Sequence, residues 1–126
     1  MTLERTARGT VEAVVVDNGR LLLVGAAEAW GLPAGTPEAA ETPEATAARA
    51  VYELTGYLVD GSSLLRPTEE TPAPAVPVVV CRLLSDSPSS EATLPAERVR
   101  WVPLAEAADA EVPPLVREFL RGRTTL

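Results

Sequence analysis

The chain has no lysine, no histidine and a single cysteine among its 126 residues. Each absence excludes a chemistry. Without histidine there is no Ser–His or Cys–His nucleophilic pair and no His-containing zinc site. One cysteine, Cys81, allows neither an internal disulfide nor a CxxC pair, and its setting in Val78-Val-Val-Cys-Arg-Leu-Leu84 reads as a strand core position. Aromatic residues are 4% of the chain, so the core must rest on valine, leucine and alanine. No apolar run is long enough to span a bilayer, and Met1-Thr-Leu-Glu-Arg-Thr-Ala-Arg8 has no apolar leader region, so a cytoplasmic protein without membrane contact is expected. All eleven positive charges are arginine and the net charge is −7, a balance that disfavours docking on a nucleic-acid backbone. Arg117, Arg121 and Arg123 cluster near the end and read as a solvated helix face.

What is present suits one globular domain spanning residues 1–126, with apolar residues at 46% and charged residues at 23%. Thr10 to Asp17 and Leu21 to Val24 are strand-like runs, and Asn18-Gly19 between them suits a tight hairpin needing positive φ. Trp30-Gly31-Leu32-Pro33 enters a loop that ends at Thr42-Pro43, where threonine can cap a helix and proline can occupy its first position. The helix is predicted from about Pro43 to Leu54, stopping at Gly56. Later expectations are a strand from Tyr57 to about Leu65, a proline-rich connection at Thr71 to Pro77, and a strand from Val78 to about Leu84. A loop at Ser85 to Ser90, a strand at Arg98 to Val102 and helices at Pro103 to Ala110 and Pro114 to Arg121 complete the reading.

The segment from Gly35 to Tyr57 fits the spacing G-x5-E-x7-R-E-U-x-E-E-x-G-U, with U bulky and apolar, without a gap. Gly35, Glu41, Arg49, Val51, Glu53 and Gly56 match, and Tyr57 is a loose match. On these residues the chain resembles the Nudix hydrolases, a likeness that extends from roughly Thr10 to Leu120. It departs where the family has two glutamates, at Ala50 and Leu54, and where the usual Pro-Gly-Gly is Pro33-Ala34-Gly35. The resemblance implies an α/β/α sandwich with a mixed sheet in a single domain.

It also implies a site. Divalent cations such as Mg²⁺ or Mn²⁺ want several oxygen ligands, and positions 50, 53 and 54 share one helix face. Here that face presents Ala50, Glu53 and Leu54, one carboxylate where the family has three. Glu53 is the metal candidate, Glu41 and Arg49 the supporting pair on the catalytic side, and Gly35, Ala34, Ala50 and Leu54 the ligand-facing floor. Glu69, Glu70, Glu91 and Glu97 are later-loop acids that could add a ligand.

Read without the resemblance, Ala47, Ala48, Val51 and Leu54 form an apolar stripe, and Arg49 with Glu53 a surface ion pair. Three functions stay open. The first is a Nudix-like protein that binds a nucleotide-like or other small ligand with weak or no diphosphate hydrolysis. The second is an active, atypical Mg²⁺- or Mn²⁺-dependent hydrolase of nucleoside diphosphate derivatives, and the third is metal-free chemistry on a small metabolite. The family also often forms homodimers.

Overall fold

Asn18 and Gly19 both adopt left-handed backbone, at φ 56 and 76. A two-residue turn of that kind matches strand twist, so β1 (Val11–Asp17) and β2 (Arg20–Ala26) close as a hairpin with Asp17 opposite Arg20. The computed structural model describes residues 10–26, 29–66, 76–85, 87–107 and 112–124. The expected proline-rich connection falls largely outside these residues, as does the far end of the helix expected to reach Ala110.

The stretch expected as one loop contains two short strands, β3 (Ala29–Gly31) and β4 (Ala34–Gly35). β3 pairs with β2, and β4 pairs with the beginning of β1 through Val11↔Gly35 and Glu12↔Ala34. Elements of two or three residues carry no readable period, so only the sheet edge reveals them.

α1 (Pro43–Thr55) starts where the sequence places it. Thr42 accepts a hydrogen bond from the Ala45 amide at 3.1 Å, and Pro43 occupies the first turn. It ends at Gly56, φ 82, whose amide donates to the Tyr52 carbonyl. β5 (Val59–Leu64) and β6 (Val78–Leu83) pair antiparallel, and β6 runs parallel to β1 from Glu12↔Val78 to Val15↔Cys81. A single 3-10 turn at Ala96–Arg98 leads into β7 (Val99–Pro103), which lies antiparallel along β2. α2 (Leu104–Ala107) and α3 (Pro114–Thr124) follow.

The result is a mixed sheet in the order β3-β2-β1-β6-β5, with β4 on β1 and β7 on β2. β1 lies inside it, which explains why Val11, Ala13, Val14 and Val15 are all buried despite pointing to both faces. On one face Val11, Ala13, Val15, Val79 and Cys81 pack with Ala47 and Val51 of α1. On the other, Val14, Leu21, Leu23 and Val78 pack with Leu104 of α2 and Val116 and Leu120 of α3. Helix, sheet and helix form an α/β/α sandwich. No helix among the described residues is long and apolar enough to cross a membrane. Cys81 is buried, and its thiol is pushed up to about 12, first by desolvation and then by Asp60.

Candidate functional site

The loop between β4 and α1 is fastened to the helix by Arg49. Its guanidinium donates to Glu41 through Nε at 2.9 Å and Nη2 at 2.8 Å, and Nη2 also donates to the Thr36 carbonyl at 2.8 Å. Glu41 is reached in addition by the Glu38 amide at 2.9 Å and the Thr46 hydroxyl at 2.8 Å. These bonds to a side chain only 14% exposed lower the Glu41 carboxyl to about 2, with Arg49 the first cause. Arg49 is correspondingly raised, chiefly by Glu41. Nη1 of Arg49 reaches Glu53 at 3.3 Å, so Glu53, 54% exposed, is the outer member of the group.

The positions beside Glu53 carry no charge. Ala50 is 2% exposed and lies beneath Gly35, where an added Cβ would come within 2.7 Å of the Ala50 Cβ. Strand β4 and helix α1 approach this closely because both residues are small. Leu54 is half-buried in the last turn of α1, and its carbonyl accepts the Leu94 amide at 3.2 Å. Ala34 sits in β4 opposite Glu12. The structure therefore joins Glu41, Arg49 and Glu53 directly, places Gly35 over Ala50, and leaves Ala34 and Leu54 outside the ion-pair group.

Thr36 and Thr46 are partners the sequence did not single out. Thr36 acts through a backbone carbonyl, which leaves no sequence signal, whereas Thr46 lies one turn before Arg49 and was legible in principle. A second set of contacts was also missed: Ser89 and Thr93 amides donate to the Gly56 and Glu53 carbonyls, each at 2.8 Å, and Tyr52 Oη lies 3.4 Å from both Ser89 Oγ and Glu91 Oε1. This brings the later loop against the end of α1. A cavity of about 350 Å³ lies beyond it, bounded by Tyr57, Trp101, Val99, Leu94 and Ser90. Tyr57 and Trp101 meet edge to face at 5.4 Å.

Of the later acids, Glu91 is turned to Tyr52 and Glu97 is exposed in the 3-10 turn, while Glu69 and Glu70 lie outside the described residues. Among the described residues no three His, Cys, Asp or Glu side chains are grouped to hold a metal ion. Glu53, paired with Arg49, is the one carboxylate at positions 50, 53 and 54.

The family model for the NUDIX domain matches residues 6–122. The chain belongs to the Nudix family. Its fold is similar to a Nudix hydrolase from Nitrosomonas europaea, with TM-score 0.65 and 22% identity over 92% of this chain and 87% of that one. It is similar also to an ADP-ribose pyrophosphatase from Streptococcus suis 89-1591, with TM-score 0.61 and 17% identity over 92% and 90% of the two chains. A UDP-X diphosphatase matches with TM-score 0.56 and 18% identity over 76% of this chain, which spans only 50% of that one. No curated protein matches the sequence. Nudix proteins generally use divalent metal, which makes the charge at positions 50, 53 and 54 the central question of this site.

Proposed function

We propose that this Nudix protein binds a nucleotide-like small ligand, such as a nucleoside diphosphate derivative, with weak or no diphosphate hydrolysis. The observation that carries the reading is that one carboxylate, Glu53, stands between Ala50 and Leu54, and that it is ion-paired to Arg49. Diphosphate cleavage needs charge neutralisation at the phosphates and an activated water. Loss of a positioned general base costs about 10²–10⁴ in rate, and missing metal ligands add to that. Gly35, Glu41 and Arg49 keep the loop in place over the helix, so the frame that would seat a diphosphate persists without its charge.

The pyrophosphatase neighbours favour a second reading, a working hydrolase in which substrate phosphates and water complete a metal shell begun by Glu53. Product release from ADP-ribose and UDP-sugars with Mg²⁺ or Mn²⁺ separates the two. The expected result is turnover at or near background for the natural sequence and a gain for Ala50→Glu/Leu54→Glu. Because Ala50 is buried, Leu54→Glu alone is measured beside it, with melting curves to show that both fold. Ordinary turnover abolished by Glu53→Gln would instead establish the hydrolase.

A further inference from the structure

Val99 and Trp101 alternate along β7, and both pack against the core that lies under α1. The helix itself ends at Thr55 with Gly56 as its cap, and what meets Trp101 there is Tyr57, edge to face at 5.4 Å. Beyond the helix the loop before β7 roofs this face, and its backbone is fastened to the last turn of α1. The Ser89, Thr93 and Leu94 amides donate to the Gly56, Glu53 and Leu54 carbonyls, and the Thr93 hydroxyl adds a second bond to Glu53 at 2.9 Å. The cavity of about 350 Å³ lies between this loop, β7 and the helix end.

The walls define what can enter. Tyr57, Trp101, Val99, Leu94 and Ala92, each half-buried, give ring and aliphatic surface, in a volume at the small end of ligand pockets. A flat ring laid on one of the two aromatics meets the other by its edge, which extends their own T-shaped contact. Among the described residues no Asp, Glu or Arg lines the cavity. Two of its hydroxyls are occupied: Thr55 Oγ1 donates to the Val51 carbonyl and accepts the Tyr57 amide, and Ser89 Oγ accepts the Glu91 amide. Tyr57 Oη, Trp101 Nε1 and Ser90 Oγ have no hydrogen-bond partner among the described residues, and each can donate. Charge enters only at a smaller hollow of about 220 Å³ that shares Tyr57 and Trp101, where Asp17 and Arg20 stand.

We propose that this cavity is a second binding site, for an uncharged planar aromatic ligand bearing a carbonyl, and that its occupation fastens the loop onto the turn of α1 that carries Glu53. The link is short. Ser90, Ala92 and Leu94 wall the cavity, and Thr93 between them places its amide and its hydroxyl on the Glu53 carbonyl. A ligand that binds only the closed loop suppresses opening by the factor 1 + [L]/Kd, which is about tenfold at about ten times Kd.

NMR titration of the whole chain with coumarin, indole, cyclohexanone and naphthoate tests this. Coumarin should shift the Trp101 indole N–H and the Ser90 and Leu94 amides, and leave the indole N–H of Trp30, which packs on the opposite core, in place. At about ten times its Kd it should slow hydrogen exchange of the Ser89, Thr93 and Leu94 amides about tenfold. Indole lacks the acceptor, cyclohexanone lacks the plane and naphthoate is charged, so each should bind about tenfold more weakly or worse. Ala92→Phe fills the cavity and should abolish the coumarin shifts, with a melting curve to show that it folds; Ser90→Phe, at an exposed lining position, is measured beside it. The absence of coumarin binding, tighter binding of naphthoate, or shifts that survive in a folded Phe variant overturns the site. Binding without slower exchange overturns its hold on the loop.

Discussion

Glu41 receives four donors, from Glu38, Thr46 and two nitrogens of Arg49. Its folded-state carboxyl titrates near 2 rather than 4.5, so its stabilising effect is complete above 4.5 and is lost as pH falls toward 2. Denaturant unfolding of the natural protein and Glu41→Gln across that window should show the gap between them closing on acidification. Arg49→Lys keeps the charge but loses the forked contact to Glu41 and Thr36, and should lower unfolding free energy by about 1–3 kcal/mol. Glu12 has the opposite sign: its folded-state value is raised, so the neutral form is favoured and stability declines as pH rises above 4.5. The Glu41–Arg49 link was legible from the spacing of the box. Glu12 was not, because a lone glutamate in a strand run gives no indication of which face is buried.

At the scale of the element, α1 was legible at both ends because its signals are local: Thr42-Pro43 to begin and Gly56 to end. Gly56 has a second constraint that no local rule supplies. An added Cβ would lie 2.5 Å from the Ser89 carbonyl oxygen, in addition to the strain of φ 82. Gly56→Ala should therefore cost about 1–3 kcal/mol, and the Ser89, Thr93 and Leu94 amides should lose protection in hydrogen exchange. Retained protection would mean that the loop does not depend on the glycine. Strands β3 and β4 and the parallel pairing of β1 with β6 could not be read beforehand, since the first two are too short and the last joins residues far apart in sequence.

For the whole molecule, the order of strands and helices together with the box was enough to give the sandwich, because each long element has one apolar face to cover. The closing helix shows how much that cover matters. Leu120 of α3 is 1% exposed in the core with Val14, Leu21 and Val116. Leu120→Ala should lower stability by about 2–5 kcal/mol in denaturant titration, whereas truncating the exposed Leu58 should change it little. The candidate site was legible in its frame and in its missing acids, while its contacts through backbone groups at Thr36, Ser89 and Thr93 emerge only when the chain is folded.

Two different forces tie α1 to the loops around it. Arg49, in its middle, is joined by ionised groups to Glu41 of the preceding loop and to Glu53 in its own last turn, whereas the backbone of that last turn is closed by neutral amides of the later loop. Raising ionic strength should therefore weaken the ion pairs of Arg49, the exposed Glu53 contact included, and spare the closure by the later loop. A helix built this way has a saline-sensitive tether to one loop and an indifferent clasp on the other, and Glu53 takes part in both, its carboxylate in the first and its carbonyl in the second.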